Sequence, residues 1–197
     1  ILSIEERSKV KARQGVELVS SGEVRVVDEK GVEVPADGTT LGEITVRGNV
    51  VMAGYYNDPE ATAAAVKDGW FHSGDAAVVH PDGYVEIRDR FKDVIISGGE
   101  NISSVELEGC LLTHPAVQES AVVGMPHEKW GESPHAFVVL KQGAQATEDE
   151  LKEHVRSQLA HFKTPQAVSF VEELPKTATG KVQKYVLRQH EPGIATQ

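Results

Sequence analysis

The chain has 197 residues, of which 40% are hydrophobic, and a formal net charge of -10. This length allows one large domain or two small ones, each with a buried core. The acidic balance excludes a nucleic-acid surface, which needs clustered Lys and Arg. No apolar run reaches the roughly 18 residues of a membrane span. We therefore expect a soluble globular protein without a transmembrane segment.

Cysteine and histidine usage argues against a metal or disulfide framework. Cys110 is the single cysteine, which fits a reducing cytoplasm and a small core position in a helix. The eight histidines lack the spacing of a helical metal site, so we assign no metal ligands.

The first part of the chain has the pattern of antiparallel strands. Short apolar segments separated by turn residues occupy residues 16–19, 24–27 and 43–46. They predict part of a barrel or sandwich. Asp58 followed by Pro59 predicts an N-cap and a helix through residue 66, and residues 76–79 predict a further strand.

Residues 83–103 (GYVEIRDRFKDVIISGGENIS) separate two bodies of the chain. Strand-like segments at 84–87 and 94–96 flank a charged break formed by Asp89, Arg90, Lys92 and Asp93, where a rotation is easy to accommodate. Gly98 and Gly99 permit positive φ and a close approach of the backbone to a ligand. A polar hairpin crossing with a glycine turn is the alternative.

The second body alternates helices and strands. Ser103 with Glu106 and Thr147 with Glu150 predict two capping boxes, each opening an apolar-striped helix. Strands are predicted at residues 117–123, 136–140 and 167–171, and a short helix at 182–189. The fold class is therefore α+β, with a short mixed sheet and flanking helices in this second body.

Three charged residues are candidates for nucleotide chemistry. The Asp75 carboxylate could accept hydrogen bonds from both hydroxyls of a ribose diol, although an Asp in a Ser-Gly-Asp turn more often only stabilises the turn. Arg90 could reach the same ribose or a phosphate, or simply pair with Asp89 or Asp93. Lys181 follows a glycine in a small polar loop, where its ammonium could stabilise charge on a phosphate ester.

A local excess of positive charge surrounds Lys181. Between residues 161 and 190 five basic residues face only two acidic ones, Glu172 and Glu173. The basic residues are Lys163, Lys176, Lys181, Lys184 and Arg188. A small anionic ligand could use this patch, and a solvated basic face is the alternative.

Four ordered segments resemble signatures of the adenylate-forming enzymes, which comprise acyl- and aryl-CoA synthetases, peptide-synthetase adenylation domains and beetle luciferases. The segments are 55–62 (YYNDPEAT), 69–75 (GWFHSGD), 83–103 and 174–184 (LPKTATGKVQK). In that superfamily a carboxylate attacks the α-phosphate of ATP, carried with Mg²⁺, and the thiol of CoA then displaces AMP. A small C-terminal lid rotates between the two half-reactions.

The resemblance implies a role for each matching position. Asp75 and Arg90 would bind the ribose and Asn101 would lie near AMP. Lys92 would be the hinge, Gly98 and Gly99 would line the pantetheine path to CoA, and Lys181 would be the adenylation lysine.

The family's triphosphate loop and its adenine- and acyl-binding segment do not occur in this sequence. The resemblance therefore implies the C-terminal part of a longer enzyme, inactive when assayed alone. Residues 1–88 would end the large domain as a β-barrel subdomain, and residues 89–197 would form the lid.

The segment SGGENIS favours a ligase that makes acyl-CoA from a fatty acid, with ATP and CoA as co-substrates. An aryl-CoA ligase, a peptide-synthetase adenylation domain and a non-catalytic lid or interaction module are the alternatives. Homo-oligomerisation through the large domain is left open.

Overall fold

The computed structural model describes residues 3–11, 13–18, 20 and 22–189. The chain divides into two compact units, Ile1–Lys92 and Asp93–Gln197. We predicted the boundary after residue 88; it follows Lys92, because the strand before it continues to Arg90. Each unit is built on a five-stranded sheet with helices beside it. The predicted α+β fold class is therefore confirmed.

The first unit contains an antiparallel sheet arranged around one long strand. Its helices are α1 (Ile4–Lys11) and α2 (Pro59–Ala65). Its strands are β1 (Glu23–Val27), β2 (Gly42–Arg47), β3 (Val66–Lys67), β4 (Trp70–Val79) and β5 (Val85–Arg90). Strand β2 pairs along one edge of β4, while β3 and β5 pair with successive parts of its other edge. Strand β1 extends the sheet beyond β2.

Local signals in the sequence explain how α2 begins and ends. The Asp58 side chain accepts a hydrogen bond from the backbone N–H of Ala61 at 2.9 Å, which confirms the predicted N-cap. The helix ends at Ala65, earlier than predicted, because β3 pairs with the start of β4. Asp68 and Gly69, both at positive φ, make the tight turn between these two strands.

Two predictions for the first unit are wrong. Residues 16–18 form no strand, and Val19 lies outside the described residues. The side chains of Val16 and Leu18 are exposed, so β-propensity alone did not produce a strand there. The charged break is also shorter than predicted, because Asp89 and Arg90 belong to β5 and Asp89 is buried. The strands are interrupted by residues 91–94, which include the one-turn helix Phe91–Asp93.

The second unit has a mixed sheet between two cores. Its helices are α3 (Ser104–Leu112), α4 (Glu148–Gln158) and α5 (Lys184–Leu187), with one further helical turn at His161–Lys163. Its strands are β6 (Ile95–Ser97), β7 (Glu100–Ile102), β8 (Val117–His127), β9 (Gly131–Leu140) and β10 (Ala167–Phe170). The β8–β9 hairpin is longer than predicted. Strand β8 pairs along one edge of β9; β6 and the parallel strand β10 pair with separate parts of the other.

Both predicted helix starts are correct. Thr147 and Glu150 form a reciprocal capping box at the start of α4. Ser103 accepts a hydrogen bond from the backbone N–H of Glu106 at 3.2 Å at the start of α3. Because these signals act within four residues of chain, they can be recognised without knowledge of the tertiary fold.

Alternate residues of β8 and β9 face opposite cores. One core places Val122 and Val138 against α3 and α4. The other buries Val123 and Phe137 under the C-terminal segment, which contributes Leu174, Val182 and Leu187. The sheet is therefore covered on both faces, and the segment that carries Lys181 is part of the fold of this unit.

Cys110 lies in the first of these cores, as predicted. Burial raises the pKa of its thiol, with a further contribution from Glu106, so the thiolate form is disfavoured. Among the described helices, none is long and apolar enough to cross a membrane.

His135 gives the second unit a predicted pH dependence. It is buried, stacks on Phe137 at 4.7 Å and lies 2.9 Å from the Ser169 hydroxyl. Burial lowers the pKa of its imidazole below the ordinary 6.5, because the charged ring would lose its water. Below pH 6.5 the unfolded chain therefore binds more protons than the folded one, and stability falls as the pH drops toward the folded pKa.

We expect the His135→Gln variant to lose less Tm than the wild type between about pH 7.5 and about pH 5.5, whatever its Tm at neutral pH. Thermal unfolding at a series of pH values measures this slope. Identical slopes for the two proteins would mean that another group controls the acid sensitivity.

Candidate functional site

Asp75 and Arg90 are brought together in the first unit. They are directly opposed on β4 and β5, and Arg90 Nε lies 2.7 Å from Asp75 Oδ1. The alternative pairing of the Arg90 side chain with Asp89 or Asp93 is not what the structure has. Asp89 instead accepts a hydrogen bond from the Arg90 backbone N–H at 2.8 Å. The pair presents a carboxylate, which accepts hydrogen bonds, and a guanidinium, which donates them, side by side.

Asp75 lies in a bulge of β4. Glu43 is opposite Ala76 and Thr45 is opposite His72, so Ile44 alone faces residues 73–75. Gly74 adopts a φ of 72°, which glycine accommodates without strain. The predicted Ser-Gly-Asp turn is thus an interruption within one long strand, and it re-aims the Asp75 side chain.

Gly98 and Gly99 form the turn of the β6–β7 hairpin in the second unit, with φ values of 61° and 90°. The backbone N–H of Gly98 donates to the Trp130 carbonyl at 2.9 Å. A Cβ at Gly98 would lie 2.9 Å from Trp130 Cε3, a distance that real Cβ atoms essentially never show. Both glycines therefore have the predicted positive φ, and Gly98 packs against Trp130 of the same unit; the predicted approach to a ligand stays a prediction.

Two other predicted residues lie near the start of the second unit. Asn101 is exposed on β7, opposite Ile96. Lys92 lies in the helical turn at the boundary between the two units. Their predicted roles near AMP and at the hinge stay predictions.

A cavity of about 400 Å³ adjoins Gly98. It opens where β6 and β10 pair with different parts of one edge of β9, so that no strand pairs with residues 132–134 along that edge. Two aromatic rings and two cations line it, from Trp130, Phe162, Lys152 and Arg156. Sequence reasoning missed this cavity, although an exposed Trp next to Gly131 is an unusual surface residue.

Lys181 ends a short closed loop. The backbone N–H of Thr177 donates to the Lys181 carbonyl at 2.8 Å, and the Lys181 N–H donates to the Thr177 hydroxyl at 3.2 Å. Gly180, at a φ of 82°, closes the turn. An isolated antiparallel β-bridge pairs the backbones of Lys176 and Val182 at the base of the loop. The Lys181 side chain projects from this loop and is exposed.

The predicted basic patch is a set of ion pairs. Four of its five cations lie between 2.5 and 2.7 Å from a carboxylate oxygen. The pairs are Lys163–Glu106, Lys176–Glu119, Lys184–Glu108 and Arg188–Asp93. Within the described part of the chain, Lys181 has no such partner. The patch therefore offers one uncompensated ammonium and not a broad anion-binding face.

No group of three or more His, Cys, Asp or Glu side chains in the described residues could hold a metal ion. The carboxyl of Glu148 has a lowered pKa because Lys152 donates a hydrogen bond to it.

Residues 106–181 match the family described as AMP-binding enzyme C-terminal domain. Two curated relatives are similar over almost the whole chain. The 2-methylpropanoate–CoA ligase CCL4 of Humulus lupulus is 54% identical, over 97% of this chain and 35% of its own length. The 4-hydroxybutyrate–CoA ligase 2 of Metallosphaera sedula is 54% identical, over 95% of this chain and 34% of its own length.

Solved structures agree with the sequence relatives. The o-succinylbenzoate CoA synthetase MenE of Bacillus subtilis, in complex with its acyl-adenylate intermediate, has a TM-score of 0.85 at 34% identity over 98% of this chain and 39% of its own. ATP-bound MatB of Rhodopseudomonas palustris has a TM-score of 0.81 at 40% identity over 90% of this chain and 35% of its own. The chain spans about a third of the length of the curated relatives it matches. Residues 106–181 belong to the AMP-binding enzyme C-terminal domain family, and the chain is similar to adenylate-forming enzymes over almost its whole length.

Proposed function

We propose that this chain is the C-terminal portion of an ATP-dependent acyl-CoA synthetase. The enzyme condenses a carboxylic acid with ATP to give an acyl-adenylate and pyrophosphate. The sulfur of CoA then attacks the acyl carbon, AMP leaves, and a thioester forms. Mg²⁺ enters with ATP as part of the substrate.

The observation that carries this proposal is the uncompensated Lys181 ammonium, in a segment whose four other cations are each paired with a carboxylate. Adenylation brings two anions together, the carboxylate and the α-phosphate, so a cation near both lowers the barrier. A lysine already paired with a carboxylate would have to break that pair first. Lys181 has no such cost and sits on a loop held at its base.

The remaining candidate residues divide between nucleotide and CoA. Asp75 and Arg90 bind the ribose hydroxyls, and Asn101 lies near AMP. Lys92 is the hinge at which the second unit changes orientation between the half-reactions. Gly98 and Gly99 line the path of the pantetheine arm; Trp130 already fills the space beside Gly98, whereas the space beside Gly99 is open.

The cavity next to Gly98 suits the other end of CoA. Trp130 and Phe162 offer ring faces on which an adenine can stack. Arg156, which lies 3.6 Å from a carboxylate oxygen, offers a guanidinium for phosphate groups, whereas Lys152 is already paired with Glu148 at 2.7 Å. We therefore place the nucleotide part of CoA in this cavity, with its pantetheine arm leaving past Gly98.

For the acid we propose an aliphatic substrate of the fatty-acid class. Support comes from the two curated relatives at 54% identity, which are named for 2-methylpropanoate and 4-hydroxybutyrate. Structural neighbours at lower identity include ligases named for aryl acids, such as the anthranilate CoA ligase AuaEII at 35%. An aryl acid is therefore the alternative substrate.

The test uses the full-length protein that contains this chain. ATP–pyrophosphate exchange is measured with a panel of short aliphatic, long-chain and aryl acids, and thioester formation is then followed after addition of CoA. Exchange with an aliphatic acid supports the proposal, and exchange with aryl acids alone moves it to the aryl class. Failure to bind an acyl-adenylate analogue would favour a non-catalytic interaction module instead.

Gly98→Ala should raise the KM for CoA about tenfold and leave pyrophosphate exchange nearly unchanged. The new Cβ would collide with Trp130 beside the cavity, and alanine is strained at a φ of 61°. Gly143→Ala is the matched control, because Gly143 has a φ of 76° with open space around its Cβ. Equal effects of the two variants on the KM for CoA would show that backbone strain, and not the cavity, is responsible.

A further inference from the structure

Glu43 contacts two residues that precede Asp75 on β4. Its Oε2 lies 2.6 Å from His72 Nδ1, and its Oε1 accepts a hydrogen bond from the backbone N–H of Gly74 at 3.0 Å. Both side chains of the Glu43–His72 pair are about a quarter exposed. The Glu43 carboxylate on β2 therefore contacts both His72 and Gly74 of the neighbouring strand β4.

The contact coincides with the bulge in β4. Residues 73–75 face only Ile44, so the regular ladder of β2 and β4 stops at Glu43 and resumes at Thr45. Glu43 replaces the missing ladder bond by accepting from Gly74. A second local bond, from the Asp75 N–H to the Ser73 hydroxyl at 3.1 Å, closes the turn from within.

The conformation of this bulge decides where the Asp75 carboxylate lies. Asp75 directly follows Gly74, and its carboxylate meets Arg90 on the opposite edge of β4. A glycine at positive φ has many alternative conformations, so Gly74 by itself would leave Asp75 poorly fixed. We propose that Glu43 is a positioning residue for nucleotide binding, which sets Asp75 through Gly74 and His72. This inference rests on the proposed function, in which Asp75 binds the ribose.

Three substitutions at Glu43 separate its contributions in the full-length enzyme. Glu43→Ala removes both contacts and should raise the KM for ATP about tenfold in pyrophosphate exchange. Glu43→Asp keeps the charge but is too short to reach both partners, and we expect a rise of about threefold to tenfold. Glu43→Gln retains an acceptor for Gly74 and a donor for His72, so its KM for ATP should stay within about twofold of the wild type. The KM for the acid should not change, since the proposed role of Glu43 concerns the ribose site. A variant that only lost folded enzyme would instead lower kcat and leave both KM values unchanged.

The matched control is a second Glu–His pair of the same unit. His80 Nε2 lies 2.6 Å from Glu86 Oε2, with similar exposure and away from the bulge. Glu86→Ala should therefore reproduce the general cost of losing such a pair without raising the KM for ATP. If Glu43→Ala does not fold, Glu43→Asp decides the question.

Asp75→Ala, measured in parallel, distinguishes a failure of the inference about Glu43 from a failure of the ribose assignment. If Asp75→Ala raises the KM for ATP and the Glu43 variants raise it no more than Glu86→Ala does, Glu43 has no positioning role and the ribose assignment stands. If Asp75→Ala leaves the KM for ATP unchanged, the ribose assignment fails, and the inference about Glu43 fails with it.

Discussion

Lys181→Ala should slow acyl-adenylate formation in the full-length enzyme by about a hundredfold to a thousandfold. The reason is electrostatic, since the ammonium is proposed to stabilise charge shared by the attacking carboxylate and the α-phosphate. ATP–pyrophosphate exchange measures this half-reaction directly. Thioester formation from a supplied acyl-adenylate should survive within roughly tenfold, because the lysine is proposed to act only in the first half-reaction.

The neighbouring lysines test whether Lys181 is special. Lys176→Ala is the better control, since the Lys176–Glu119 pair lies at the surface and its loss should cost little. Lys184 also binds the Ser104 hydroxyl and is only 15% exposed, so its variant needs a correction for lost stability. If Lys176→Ala slows adenylation as much as Lys181→Ala, a general basic face is at work and the single-lysine assignment is wrong.

Lys92→Pro should leave adenylation largely intact and strongly impair thioester formation. Proline fixes its own φ, so it restricts the rotation of the turn that joins the two units. The proposed function requires this turn to change conformation between the half-reactions. Pyrophosphate exchange and single-turnover thioester formation, measured separately, give the two rates.

Lys92→Ala is the control for the side chain, because it removes the ammonium and leaves the backbone free. We expect it to affect thioester formation much less than Lys92→Pro does. A comparable loss in both half-reactions of the proline variant would place the hinge elsewhere or show that the variant is misfolded.

Features that act over a few residues were predictable from the sequence. The Asp58 N-cap with Pro59 and the Thr147–Glu150 capping box are complete within one helical turn, and the structure has all of them. The alternation of Val122 and Val123 likewise predicted a strand, because its period does not depend on what covers each face.

Features that depend on distant residues were not predictable. The ion pair of Lys184 requires Glu108, and that of Arg188 requires Asp93, so the five cations looked like one basic patch. The cavity beside Gly98 depends on how β6 and β10 share the edge of β9. Residues 16–18 show the opposite error, an apolar pattern that forms no strand. In each case the tertiary arrangement decided what the local pattern alone left open.

The Lys181 loop is anchored at both ends by the core that covers the second face of the sheet. Leu174 lies before the loop, Val182 and Leu187 follow it, and all three pack on the same side of β8 and β9. A local unfolding event that releases this segment would withdraw the ammonium while the other core stays intact. Adenylation should therefore be lost at a lower denaturant concentration than the one that unfolds the rest of the unit. The amide hydrogens of residues 182–187 should also exchange with solvent before those of β9.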